Sequence, residues 1–142
     1  MFGKAWWWLT ARLNGKQQGK LRFLVHRHPM YPSFWHPMLT PDQQPGMEIQ
    51  IHLEASNMAA SAYRIVAAEI AGLPAMQTVI GVREARTHKF AQNNPLPPRQ
   101  LTTVSLHFLV DGQSCSIDEP FRATVILTDH AGERHPIKVI MH

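Results

Sequence analysis

A period-two alternation of apolar and polar side chains recurs along this chain, and residues 47–54 show it most clearly. One side of an extended backbone carries the apolar residues Met47, Ile49, Ile51 and Leu53, and the other side carries the polar residues Glu48, Gln50, His52 and Glu54. Successive side chains of a β-strand point to opposite faces, so this order buries one face and leaves the other in water. The segment therefore predicts a half-buried strand of an antiparallel sheet.

The same alternation predicts a hairpin over residues 121–141. The inward face of its first strand consists of Phe121, Ala123, Val125 and Leu127. Asp129 and Gly132 suit a four-residue loop, because an aspartate bonds its own backbone two residues on and a glycine adopts positive φ. Pro136 has no amide hydrogen to donate to a ladder, so the return strand is predicted to lie at a sheet edge or to begin at this proline.

Residues 58–72 fit both a helix and a strand. Their alanine content, a capping Asn57 and the pair Gly72 and Pro74 at the end are typical of a helix. Residues 63–70 also fit a strand, and strands are predicted on both sides of them. We predict the strand, because an antiparallel meander keeps the connections between neighbouring strands short.

These segments make the chain an all-β protein with about seven strands. The strands are predicted near residues 21–27, 47–54, 63–70, 76–82, 101–110, 121–128 and 133–141. Turn residues separate them, which is the pattern of a two-sheet antiparallel sandwich. Over residues 20–142 the strand order resembles an immunoglobulin-like sandwich. The resemblance implies no catalytic residue, and the Cys–Trp–Cys core of antibody domains is absent.

The composition favours one globular domain. Of 142 residues, 44% are apolar and 17% are charged, which argues against disorder. The single cysteine, Cys115, excludes an intramolecular disulfide and a cysteine-based zinc finger. No apolar run approaches the roughly 20 residues of a transmembrane helix, and no secretory cleavage pattern is visible. We therefore expect a cytoplasmic protein.

Positive charge is concentrated at the front of the chain. Residues 1–41 carry six Lys or Arg and no Asp or Glu, whereas the whole chain has a net charge of +4. The remaining residues therefore sum to −2. This asymmetry has two interpretations: the basic residues form a solvated face, or they form a surface that binds an anionic partner.

Residues 1–19 are predicted to form an aromatic and basic arm, as a short helix or an extended segment, outside the sandwich domain of residues 20–142. Three consecutive tryptophans point in different directions on any regular backbone, so one domain does not readily bury them all. Tryptophan is enriched at interface hot spots and at membrane boundaries. The predicted interaction site consists of Trp6, Trp7, Trp8, Lys4 and Arg12.

This arm is predicted to bind a protein partner or a second copy of the chain. Peripheral contact with a membrane is an alternative, because Lys4 and Arg12 would meet phosphate head groups beside the apolar contact. Another alternative is that the arm covers the open end of its own sandwich. Nucleic acid ranks below a protein partner, since the interleaved cations and aromatic residues are not part of a recognised nucleic-acid-binding motif.

Enzyme motifs are absent from the sequence: it has no nucleophile elbow, glycine-rich phosphate loop, HExxH pair or dinucleotide fingerprint. No cofactor is predicted. The favoured function is a non-enzymatic protein-interaction or scaffolding module.

The alternative function is a small metal-binding or catalytic β-domain that uses the proline-rich segment 26–46, which is predicted to be an irregular connection from residue 28 onward. His26 and His28 would project to one side of a strand, and the repeated His-Pro-Met would bring His36 close. Imidazole suits zinc or copper. The predicted metal ligands are His26, His28 and His36, without a nearby acid to orient them.

Overall fold

The computed structural model describes residues 20–113, 116 and 118–141, and every regular element within these ranges is a β-strand. The strands are β1 (Leu21–Val25), β2 (Phe34–Leu39), β3 (Pro45–Asn57), β4 (Tyr63–Ile70), β5 (Ala75–Arg83), β6 (Pro95–Leu96), β7 (Gln100–Asp111), β8 (Phe121–Asp129) and β9 (Arg134–Met141). The prediction of an all-β chain is confirmed.

The strands form two antiparallel sheets. In the larger sheet β3 is central: β7 pairs with it along one side, and β5 pairs with the far side of β7. The other side of β3 is shared by β1 and β2, which pair with its C-terminal and N-terminal halves. The smaller sheet has the order β6, β4, β8, β9. The two-sheet, immunoglobulin-like sandwich is thereby confirmed.

The core lies between the two sheets and is built from the inward faces that alternation predicts. Buried side chains of β3, β7 and β8 include Met47, Ile49, Ile51, Leu53, Val104, Leu106, Phe108, Val125 and Leu127, none of which is more than 1% exposed. Burial of a side chain of this size contributes about 1.5–3 kcal/mol. This layer is therefore the main source of stability, and it fixes which residues of each strand face outward.

The ambiguous segment is a strand, and its bounds agree with the prediction. Residues 63–70 form β4, which pairs with β8 and carries a register shift between Ile65 and Ala67. Across the shift the inward positions change from Ile65 to Ala68 and Ile70, so that Val66 and Ala67 are both exposed. Gly72, which fits a helix cap in the sequence, instead takes positive φ in the tight turn between β4 and β5.

The proline-rich connection is more regular than predicted, because it contains β2. Pro37 lies within this strand, opposite Met47. Since β2 pairs only with β3, the missing amide hydrogen of Pro37 is tolerated at the edge of the sheet. Trp35 of β2 is buried and its ring lies 6.2 Å from that of Phe121 in the other sheet. The predicted edge position of Pro136 is confirmed in β9.

The predicted arm of residues 1–19, with Trp6, Trp7, Trp8, Lys4 and Arg12, lies outside the described residues, and so do Cys115 and His142. Among the residues that the structure describes, no helix has the length and apolar character needed to cross a membrane.

Candidate functional site

The outer face of the larger sheet gathers six of the nine histidines of the chain. We call this surface the histidine face. Its histidines are His26, His28, His36, His52, His88 and His107. Three of them come from the strands themselves, since inward core residues of β2, β3 and β7 alternate with outward polar ones. The other three lie on the segments that follow β1 and β5.

Tyr31 holds one half of this face together. Its ring centroid lies 4.8 Å from that of His26, 6.2 Å from that of His28 and 5.8 Å from that of His52. Its hydroxyl hydrogen-bonds Nδ1 of His88 at 3.1 Å. The connection between β1 and β2 therefore contacts β3 and the segment after β5 through a single aromatic ring.

Glu48 organises the other half. His36 Nε2 donates to Glu48 Oε1 at 2.6 Å, and His107 Nε2 donates to Glu48 Oε2. The hydrogen bond from His107 is the main reason why the pKa of Glu48 is lowered; its partial burial opposes this shift, and the charges of both histidines favour it. The expectation that no acid lies near His36 is therefore wrong, because pairing of β2 with β3 places Glu48 opposite His36.

The three predicted metal ligands divide between these two halves. His26 and His28 lie side by side with ring centroids 6.4 Å apart, and His28 N donates to His26 Nδ1 at 3.2 Å. His36 instead contacts Glu48. Within the described residues, the group whose donor atoms lie within 4.8 Å of one another is Asp129, Glu133 and His135, and not the predicted set.

The Asp129 group has a structural explanation in the turn between β8 and β9. Asp129 Oδ1 accepts hydrogen bonds from the amides of Ala131 and Glu133, at 2.8 and 3.1 Å, and Oδ2 contacts His135 Nε2 at 2.8 Å. Burial alone raises the pKa of Asp129, but the hydrogen bonds from His135 and the two amides outweigh it and lower the pKa. Both carboxylate oxygens thus close the hairpin, as predicted for Asp129.

A cavity of about 350 Å³ opens on the histidine face above β7 and β5. His52 and Ser105 line it from neighbouring strands, and His52 Nδ1 lies 2.9 Å from Ser105 Oγ. The other polar or aromatic side chains of the wall are those of Gln50, Arg83, Phe90, Asn94 and His107. Its volume falls within the range of small-ligand sites.

Phe90 reaches the cavity because Gly81 has no side chain. A Cβ on Gly81 would lie 2.5 Å from Phe90 Cε1, so the ring occupies the space that any larger residue would take. The guanidinium of Arg83 lies 4.0 Å from the centroid of the same ring, and its Nη1 donates to the carbonyl oxygen of His88 at 2.8 Å. Residues 84–91 therefore fold back over the end of β5 and form one wall.

The cavity carries the positive charge of Arg83 and several hydrogen-bond donors. No Asp or Glu is among its lining residues, and Arg83 forms no ion pair within the described part of the chain. The Nε of Arg83 is buried and has no hydrogen-bond partner there. Burial lowers the pKa of His52, and the positive charges of Arg83 and His26 lower it further.

The contact between Ser105 and His52 has the spacing of a nucleophile and its base. A working triad also needs a group that orients the imidazole. Among the described residues, no carboxylate contacts His52. The pair is a cross-strand hydrogen bond between neighbours in register, since His52 lies opposite Ser105.

Comparison with known proteins adds no family: no protein-family model and no curated protein matches this chain. Two similar solved structures are a FixG-related protein from Vibrio parahaemolyticus and yeast GGA1_GAE domain-P21. The first has a TM-score of 0.41 at 9% identity, covering 85% of this chain and 92% of its own. The second has a TM-score of 0.30 at 10% identity, covering 85% and 99%. At these scores the similarities establish no function for this chain.

The sequence patterns miss the cavity and the role of Glu48. The outward positions of His52 and Glu48 follow from the alternation in β3, but the partners of these residues depend on the register of β3 with β2 and β7. The sequence signal for Arg83 and Phe90 as cavity residues is weaker still. The need for glycine at position 81 becomes visible only in the structure, where the Phe90 ring packs against it.

Proposed function

We propose that this chain is a non-enzymatic protein-interaction module and that the histidine face is its binding surface. The observation that supports this most strongly is the mixture of exposed apolar side chains and an open cavity on one sheet face. The exposed apolar residues there are Leu24, Phe34, Val79, Phe90 and Leu101. Exposed apolar groups gathered on one surface, with polar groups among them, are typical of interaction sites.

The strand register places these side chains around the polar centre of the face. Phe34 lies opposite Gln50, and Val79 lies opposite His107. Phe90 covers Gly81 beside them. A partner that settles on this surface would bury aromatic and aliphatic groups at the same time as it meets imidazoles and Ser105. Such a combination gives both affinity and orientation.

The aromatic arm is proposed as a second contact of the same module. Residues 1–19 precede β1, whose Leu24 belongs to the histidine face. Tryptophan side chains carry much of the binding energy of many interfaces. A protein partner that meets both the arm and the face would gain affinity from the linkage of the two contacts.

Selection of phage-displayed random peptides on the immobilised full chain tests the proposal. Val79 and Ile140 provide a matched pair, because each is a branched aliphatic residue that is 50% exposed, on the larger and the smaller sheet respectively. We expect Val79→Ser to lower the affinity of the enriched peptides at least about fivefold. Ile140→Ser is expected to leave their affinity unchanged.

Two outcomes would contradict the proposal: failure of any peptide to enrich, or equal loss of affinity in both variants. The arm is tested separately in the full chain by substituting serine for Trp6, Trp7 and Trp8 together. A loss of affinity in this variant supports the second contact, and unchanged affinity for every enriched peptide removes the arm from the binding surface.

A further inference from the structure

We propose that the cavity on the histidine face binds a carboxylate of the partner protein. The carboxylate would be attached to an apolar group. The inference rests on the proposed function, because it names the chemical group that this surface would contact. A C-terminal carboxylate and an acidic side chain share this chemistry.

The donors of the cavity are already in place for an anion. Arg83 uses Nη1 to contact the carbonyl of His88, which leaves donor capacity on a guanidinium that has no acidic partner in the described ranges. Its Nε is buried without any hydrogen bond. Ser105 and Gln50 line the same space with a hydroxyl and an amide. Hydrogen bonds between charged groups are the stronger kind, and arginine suits a carboxylate through its forked geometry.

The charge around the cavity lacks its counterpart. Glu48, on the same face, already has a histidine on each of its carboxylate oxygens. By contrast, the Arg83 guanidinium has no acidic partner within the described residues. A carboxylate beside it would meet this positive charge, and its desolvation would be offset by the donors that line the cavity.

The apolar part of the cavity wall favours a carboxylate that is attached to an apolar group. Phe90 and Val79 border the cavity and are both about half exposed. A volume of about 350 Å³ is several times the roughly 30 Å³ occupied by one water molecule in the liquid. The space therefore accepts a carboxylate together with several carbon atoms, and a free inorganic anion would leave the apolar wall uncovered.

Three small probes test this inference in the full chain. N-acetylphenylalanine presents a C-terminal carboxylate, N-acetylglutamic α-amide presents an acidic side chain, and N-acetylphenylalaninamide is the neutral control. Binding is measured from amide chemical shifts of Gly81 and Ser105 on titration. We expect saturable binding of at least one acid, with affinity at least about tenfold above that of the neutral amide, and the better acid identifies the source of the carboxylate.

Arg83 and Arg122 provide the matched variants. Arg122 is exposed on β8 in the smaller sheet, so Arg122→Met removes the same charge away from the cavity. We expect Arg83→Met to abolish the preference for the acid over the amide. Arg83→Lys keeps the charge and is expected to retain part of it, which separates charge from any displacement of residues 84–91.

Equal binding of acid and amide would overturn the inference, and so would an acid preference that survives Arg83→Met. Failure of both acids to bind would overturn it as well. These failures leave the proposed function intact if selected peptides still depend on Val79, whereas the absence of any Val79-dependent peptide removes the proposed function itself.

Discussion

The two sheets have the same kind of inner face and very different outer faces. On the smaller sheet the outward residues of β8 and β9 include threonines, Lys138 and an exposed ion pair in which Arg134 Nη2 lies 2.8 Å from Glu69 Oε1. This is an ordinary solvated surface. On the larger sheet the outward side chains contact one another through imidazoles, Tyr31 and Glu48, and they border a cavity.

This difference agrees with the binding role that we propose for the histidine face, because the smaller sheet, in the part of the chain that the structure describes, keeps its outer face without a comparable cluster of imidazoles. Both sheets satisfy the core by the same alternation, and the outward residues of β8 and β9 are largely polar, with Ile140 exposed among them. Our proposal assigns the binding role to the face whose exposed side chains border a cavity. The following predictions test this division between core, turns and outer faces.

The largest effect is expected at the core. Ile51 is fully buried in β3, and its neighbour Gln50 points to the histidine face. Ile51→Asp places an unpaired charge between the sheets and is expected to cost more than about 4 kcal/mol of unfolding free energy. Gln50→Asp is expected to keep the fold, as measured by urea denaturation. Similar losses in both variants would show that the register is wrong.

A smaller effect is expected in the turn of the smaller sheet. Asp129 is 2% exposed and accepts bonds from two backbone amides and His135. Asp129→Ala leaves these donors without their acceptor and is expected to lower the unfolding free energy by about 2–4 kcal/mol. Ala131→Ser, at an exposed position in the same turn, is the control for urea denaturation. A loss below about 1 kcal/mol for Asp129→Ala would contradict the structural role given to this carboxylate.

Glu48 and Glu69 compare one carboxylate from each outer face. The folded-state pKa of Glu48 lies below its ordinary 4.5, so its stabilising effect is present above that pH and is lost as pH falls through the lowered folded value. At neutral pH, Glu48→Gln is expected to cost about 1 kcal/mol, and Glu69→Gln less than about 0.5 kcal/mol because its ion pair is exposed.

Measurement of the unfolding free energy of both variants from pH 7 to pH 2 checks this comparison. The deficit of Glu48→Gln should shrink toward zero at the acidic end, since the protonated wild-type side chain no longer carries the stabilising charge. A deficit that is constant across this range would mean that the charge of Glu48 contributes nothing.

The smallest effect on stability is expected at Gly81. Gly81→Ala forces the flexible Phe90 ring aside, which is expected to change the unfolding free energy by less than about 1 kcal/mol. In a Phe90→Ala background the clash is absent. The double-mutant cycle should therefore depart from additivity by about 0.5 kcal/mol or more. Additive effects would show that Phe90 does not occupy this position.

Much of the fold follows from the sequence, because alternation in β3, β7 and β8 dictates which side chains face the core. The edge strand β2 was missed, since Pro37 argues against a strand unless the strand has a free side. The site was predicted only in part. His26, His28 and His36 do lie on one face, but their contacts with Tyr31 and Glu48 depend on residues brought together by strand pairing over long sequence separations. A local pattern specifies which face of a strand is buried, but it does not identify a partner strand that is distant in the sequence.

The footprint of a selected peptide on the full chain is the most direct test of the histidine face as the binding surface. In amide spectra of the labelled chain, we expect the peptide to shift residues of the histidine face, with Gly81, Ser105 and His107 among the most affected. The smaller sheet is expected to stay unchanged at Thr124 and Lys138. A footprint centred on β8 and β9, with Gly81 and Ser105 unmoved, would contradict the assignment of the histidine face as the binding surface.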